Sequence, residues 1–118
     1  MMSDGRMMKI RNTLSPIEGV LMSTRRLLGP AELRGCLRKL PGWKTLKGKL
    51  HQEYKFGTFA KAFTFMKKVA ITAEAMNHHP EWLNVYDMVR VDLVTHDIGG
   101  ISTYDVILAE KMNALARR

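Results

Sequence analysis

Cysteine is nearly absent from this chain: Cys36 stands alone among 118 residues. A lone thiol cannot close an internal disulfide, which excludes a disulfide-stapled secreted scaffold and favours a reducing compartment. Long hydrophobic runs are missing too. The longest apolar stretches are a few residues, far short of the ~20 that cross a bilayer. The expectation is a cytoplasmic protein with no membrane partner; a nuclear pool stays open. Aromatic residues are absent from positions 1–27, which carry Met1, Met2, Met7, Met8 and Met22 among scattered arginines. Without aromatics or a sustained apolar period, this stretch is expected to be an N-terminal extension, partly disordered. Arg6, Arg11, Arg25 and Arg26 with Ser3, Ser15 and Ser23 keep an organelle transit peptide open, while Asp4, Pro16 and Glu18 count against it.

Acidic residues are outnumbered 11 to 19, for a net charge of +8. The excess sits in residues 1–57, with 12 Lys and Arg against 4 Asp and Glu; residues 58–118 carry 7 of each. There is no dense basic run and no interleaved aromatic platform, so no direct nucleic-acid binding is expected. The excess reads instead as a solvated basic surface, which could also draw in an anionic partner. The length suits one domain, expected over 28–118.

What is there becomes regular from Gly29. Pro30 and Glu32 suit a helix's first turn, Leu33, Cys36, Leu37 and Leu40 share a face, and Pro41-Gly42 ends it. Segments 43–46 and 49–56 flank Lys47-Gly48 as a hairpin, with Leu50, Gln52, Tyr54 and Phe56 on one side and His51, Glu53 and Lys55 on the other. Residues 58–76 give the strongest helical signal, with Thr58 as N-cap. Phe59, Ala62, Phe63, Met66, Ala70 and Ala73 form a stripe with Phe65, Val69 and Met76 beside it. That arc covers about 160°, wider than the ~100° that seats a helix on one sheet. Either the surplus mediates self-association, or the helix is wedged between the sheet and another helix.

After Pro80, segments 82–86 and 88–95 predict a second hairpin around Asp87. Gly99-Gly100 breaks the chain, and Ser102 caps a last helix with Asp105 at its third position. The order α-β-β-α-β-β-α predicts an α+β fold: a four-stranded antiparallel sheet with helices packed on one face.

Three of the four histidines fall at junctions. His78 and His79 follow the long helix and precede Pro80; His96 follows a strand. Imidazole is the side chain that both gives and takes a proton near neutral pH. Glu74 lies four residues before His78 and Asp105 nine after His96, where carboxylates could fix imidazole tautomers. Glu74 could instead pair with Lys67 or Lys68, and Asp105 could be only a helix-start charge. A three-histidine zinc site is one competing reading, although sequence neighbours seldom ligate one ion; simple structural or surface histidines are the other, and the default for any one of them alone. No phosphate loop is evident, because Gly99-Gly100 lacks the further glycines and lysine. Cys36 reads as core.

Glu74, His78-His79-Pro80, Tyr86, His96 and Asp105 at these spacings resemble the signature of the pterin-4a-carbinolamine dehydratases, a family also called the dimerization cofactor of a homeodomain transcription factor. Asn77 through Trp82, Asn84-Val85-Tyr86 and Thr95-His96 extend the likeness, which runs from about Leu28 onward. The resemblance implies dehydration of a 4a-hydroxytetrahydropterin to the quinonoid dihydropterin, recycling the cofactor of aromatic amino acid hydroxylases. It implies His78, His79 and His96 as the catalytic trio, with His78 and His96 as acid and base and His79 mainly holding substrate. It also implies Glu74 and Asp105 as orienting groups and Trp82 as a wall for the pterin, although Trp82 reads equally well as core. The pterin is then substrate, with no metal and no other cofactor. A homodimer or homotetramer, and in some members a transcription-factor partner, are further implications.

Overall fold

The computed structural model describes residues 24–117. The expected extension and its disorder and targeting readings fall, for residues 1–23, outside the described residues. Helix α1 spans Pro30–Leu37, with Pro30 in the first turn and Glu32 behind it. Strands β1 (Lys44–Leu46) and β2 (Lys49–Lys55) reverse at Lys47-Gly48, both at positive φ. Two such residues give the turn a twist that matches the strands. Helix α2 is Phe59–Met76, with the Thr58 hydroxyl accepting from the Lys61 N–H at 3.1 Å. Strands β3 (Glu81–Val85) and β4 (Met88–Leu93) form the second hairpin, a 3₁₀ turn covers His96–Ile98, and helix α3 is Thr103–Ala116.

The sheet runs β1-β2-β4-β3 with every pair antiparallel. Its register places Leu50 opposite Leu93, Gln52 opposite Val91 and Trp82 opposite Val91. Leu50, Val89, Val91 and Leu93 are fully buried and form the sheet side of the core, which Val69 of α2 and Val106, Leu108, Ala109 and Met112 of α3 complete. His51, Glu53, Glu81, Arg90 and Asp92 alternate with these residues and lie on the other face. The expected fold class holds. Cys36 lies fully buried in this core, where burial pushes its thiol up.

The apolar stripe on α2 needs correction. The buried seam is Ala62, Phe65, Val69 and Ala73, rotated away from Phe59 and Phe63. Tyr54 and Phe56 on the sheet draw Phe65 inward, at centroid distances of 4.9 and 4.8 Å. Phe59 and Phe63 instead stack on each other at 5.7 Å, each about half exposed. Among the described residues no helix is long and apolar enough to cross a membrane.

Residues 24–28 run along residues 100–103. Leu27 bridges Ser102, the Leu28 N–H donates to the Ile101 carbonyl at 3.1 Å, and the Thr103 hydroxyl donates to the Thr24 carbonyl at 2.9 Å.

Candidate active site

The end of α2 decides where two of the histidines go. Asn77 adopts the left-handed conformation (φ 51°, ψ 43°), which asparagine tolerates better than most residues. Its N–H donates to the Glu74 carbonyl at 3.1 Å, and the His78 N–H reaches back to Ala73 at 3.0 Å. These bonds satisfy two of the helix's last carbonyls, those of Ala73 and Glu74, and Pro80 bars its continuation. The chain therefore turns sharply. His78 passes beneath the start of α3, and His79 stays outside.

His78 is buried, and its Nε2–H donates to Asp105 Oδ1 at 2.6 Å. Asp105 is completely buried and forms a capping box with Ser102. Its second oxygen accepts from the Ser102 N–H and from the Thr95 hydroxyl, each at 2.8 Å. Three donors thus satisfy one carboxylate, which offsets the cost of burying it. Since a carboxylate only accepts, Nε2 of His78 carries the proton and Nδ1 is left for another partner. Tyr104 sets its ring edge-on to His78 at 6.0 Å.

The other two imidazoles are exposed. His79 Nε2 donates to Glu74 Oε1 at 2.9 Å, and His96 Nε2 to Glu81 Oε2 at 2.8 Å. Glu81 receives Lys49 Nζ on its other oxygen at 2.6 Å. The lysine, and His96 after it, hold the Glu81 carboxyl below the usual carboxylate range.

Sheet register gathers these groups. Glu81 opposes Asp92 across the β3–β4 pair, so the residues before Glu81 and those after Leu93 meet at one end of the sheet. Beside them lies a cavity of about 490 Å³ lined by Arg25, Met76, Asn77, Asp97 and Tyr104, with Arg25 and Asp97 ion-paired.

All three site histidines therefore have carboxylate partners, but the pairing differs from the sequence spacing. Asp105 serves His78 and not His96; Glu74 serves His79 and not His78. Trp82 points from β3 into the helix layer and packs on the core. Two groups escaped the sequence reading, Glu81 and Lys49. The one available hint was an acidic residue directly after His78-His79-Pro80. The fourth histidine, His51, lies on the open sheet face, with Nδ1 on Asp92 at 2.8 Å. Among the described residues no group of three His, Cys, Asp or Glu is arranged to hold a metal ion.

Fold and site together define a small α+β domain that carries carboxylate-paired imidazoles at one end of an antiparallel sheet. The chain belongs to the pterin 4 alpha carbinolamine dehydratase family, whose pattern matches residues 26–115. A protein of Solibacter usitatus (strain Ellin6076), provisionally named a pterin-4-alpha-carbinolamine dehydratase, is 53% identical over 89 residues, covering 75% of this chain and 94% of its own. One of Prochlorococcus marinus (strain MIT 9303) with the same provisional name is 48% identical over 92 residues, covering 78% and 96%. Among solved structures, the transcriptional coactivator/pterin dehydratase from Brucella melitensis superposes with a TM-score of 0.74 at 41% identity, covering 77% of this chain and 99% of that one.

Proposed function

We propose that this protein dehydrates a 4a-hydroxytetrahydropterin to the quinonoid dihydropterin and water, recycling the pterin of aromatic amino acid hydroxylases. The observation that carries the reading is the buried His78–Asp105 pair at 2.6 Å, at the same sheet end as His79 and His96. Family membership supports the same substrate class.

The C4a–O bond breaks with its electron pair on oxygen, so the leaving hydroxide needs a proton. The neighbouring ring nitrogen gives up its proton, and its electrons form the new double bond to C4a. No electron enters or leaves the pterin, so protons are the only currency and no further cofactor is needed. Imidazolium and neutral imidazole supply the two transfers near pH 7, each worth ~10²–10⁴-fold. In this reading His78 and His96 exchange the protons and His79 holds substrate. Glu74 and Asp105 orient imidazoles.

Self-association as a homodimer or homotetramer belongs to the same proposal, supported by the exposed Phe59, Phe63 and Ile71 on α2. That surface also favours the second reading, a helical interaction module acting on a transcription factor. A coupled assay decides between them: phenylalanine hydroxylase generates the carbinolamine, and quinonoid dihydropterin is followed by absorbance. The expected result is formation well above the spontaneous rate. A rate equal to the spontaneous one would leave the interaction module as the better account.

A further inference from the structure

We propose that Glu81, anchored by Lys49, is the positioning residue for His96. The inference rests on the dehydratase reading and adds to it a function for a carboxylate outside the histidine set.

His78 is locked by burial, whereas the His96 side chain is 71% exposed. An imidazole so exposed samples several rotamers unless something tethers it. Glu81 supplies the tether from a rigid place. It is the first residue of β3, fixed after Pro80 and paired in register with Asp92 of β4. Its two oxygens divide the work, Oε1 accepting from Lys49 of β2 at 2.6 Å and Oε2 from His96 at 2.8 Å. Lys49 thus spans from β2 across β4 to β3 and holds the glutamate's orientation as well as its charge. The carboxyl is shifted down by Lys49 first and His96 second, and the ammonium is raised by the Glu81 hydrogen bond. An ionised carboxylate accepts only, so the arrangement selects the tautomer of His96 with the proton on Nε2 and leaves Nδ1 for substrate. Exposed ion pairs of this kind add little to stability, which makes orientation their main consequence.

The test is a double-mutant cycle on the full chain. Glu81→Ala, Glu81→Gln and Lys49→Met are each made in the native and the His96→Ala backgrounds. In the native background Glu81→Ala should lower kcat roughly tenfold to a hundredfold, with KM moving far less. Glu81→Gln, which keeps an acceptor without the charge, and Lys49→Met should fall between the parent and Glu81→Ala. In the His96→Ala background all three should have almost no further effect, because the group they act through is gone. Equal losses in both backgrounds, or none in the native one, would overturn the proposal. A separate readout covers the case of an inactive parent protein, which would sink the dehydratase reading alone. Long-range ¹H–¹⁵N NMR of the His96 ring should show the Nε2–H tautomer in the parent and a mixture in Glu81→Ala. Identical spectra would overturn the positioning.

Discussion

His78→Gln is expected to lower the proposed dehydration rate by ~10²–10⁴-fold while the protein stays folded. Glutamine can still offer an N–H to Asp105 Oδ1, which His78 Nε2 contacts at 2.6 Å, so the buried carboxylate keeps a donor. It cannot shuttle a proton. His78→Ala removes both functions, and leaving a charged acceptor unpaired in a buried site adds an expected destabilisation of about 1–3 kcal/mol or more. Comparing the two variants by coupled assay and thermal melt separates chemistry from packing. A His78→Gln protein with the native rate would remove His78 from the proton-transfer pair.

The largest effect on stability is expected at Asp105. Its carboxylate is completely buried and serves His78, Thr95 and the Ser102 N–H at once. Asp105→Ala strips all three donors of their acceptor and removes half of the capping box on α3. Leaving a buried donor without its acceptor costs about 1–3 kcal/mol, and three donors are affected here. That is a large share of the ~5–15 kcal/mol that holds a typical domain together. Asp105→Asn is the sharper variant. Its amide oxygen can still accept from Ser102, but its NH₂ then faces His78 Nε2. A donor in that position disfavours the Nε2–H tautomer and moves the proton to Nδ1, the nitrogen proposed to face substrate. The expected result is a modest loss in melting temperature with a fall in rate as large as that of His78→Gln. A melt unchanged for Asp105→Ala would contradict the three-donor description of this residue.

Much of this architecture was legible in the sequence because local chemistry and global fold agree. Lys47-Gly48, Thr58, Pro80 and Ser102 each mark a boundary that the structure places within a residue or two. Period-2 alternation in β2 likewise separated the two faces of the sheet, and Leu50 of the apolar side lies in the core. What sequence spacing did not fix was which carboxylate meets which imidazole. Asp105 lies 9 residues from His96 in sequence and 27 from His78, yet it bonds His78, because the Asn77 turn drives that side chain under α3. Glu81 is 15 residues from His96 and reaches it only through the β3–β4 register. The α2 stripe was misplaced for a related reason. Phe59, Phe63 and Phe65 are equally apolar, and only Tyr54 and Phe56 on the sheet determine that Phe65 is the one buried.

The central claim is that His78, His79 and His96 surround one bound heterocycle. Ring resonances of a ¹⁵N-labelled chain, followed by NMR during titration with a stable oxidised pterin, test it most directly. The account predicts that all three rings shift together and saturate at one affinity while the buried Trp43 indole stays still. Unmoved histidines, with shifts confined to the 560 Å³ groove beside Phe56, Phe65 and Leu115, would contradict it.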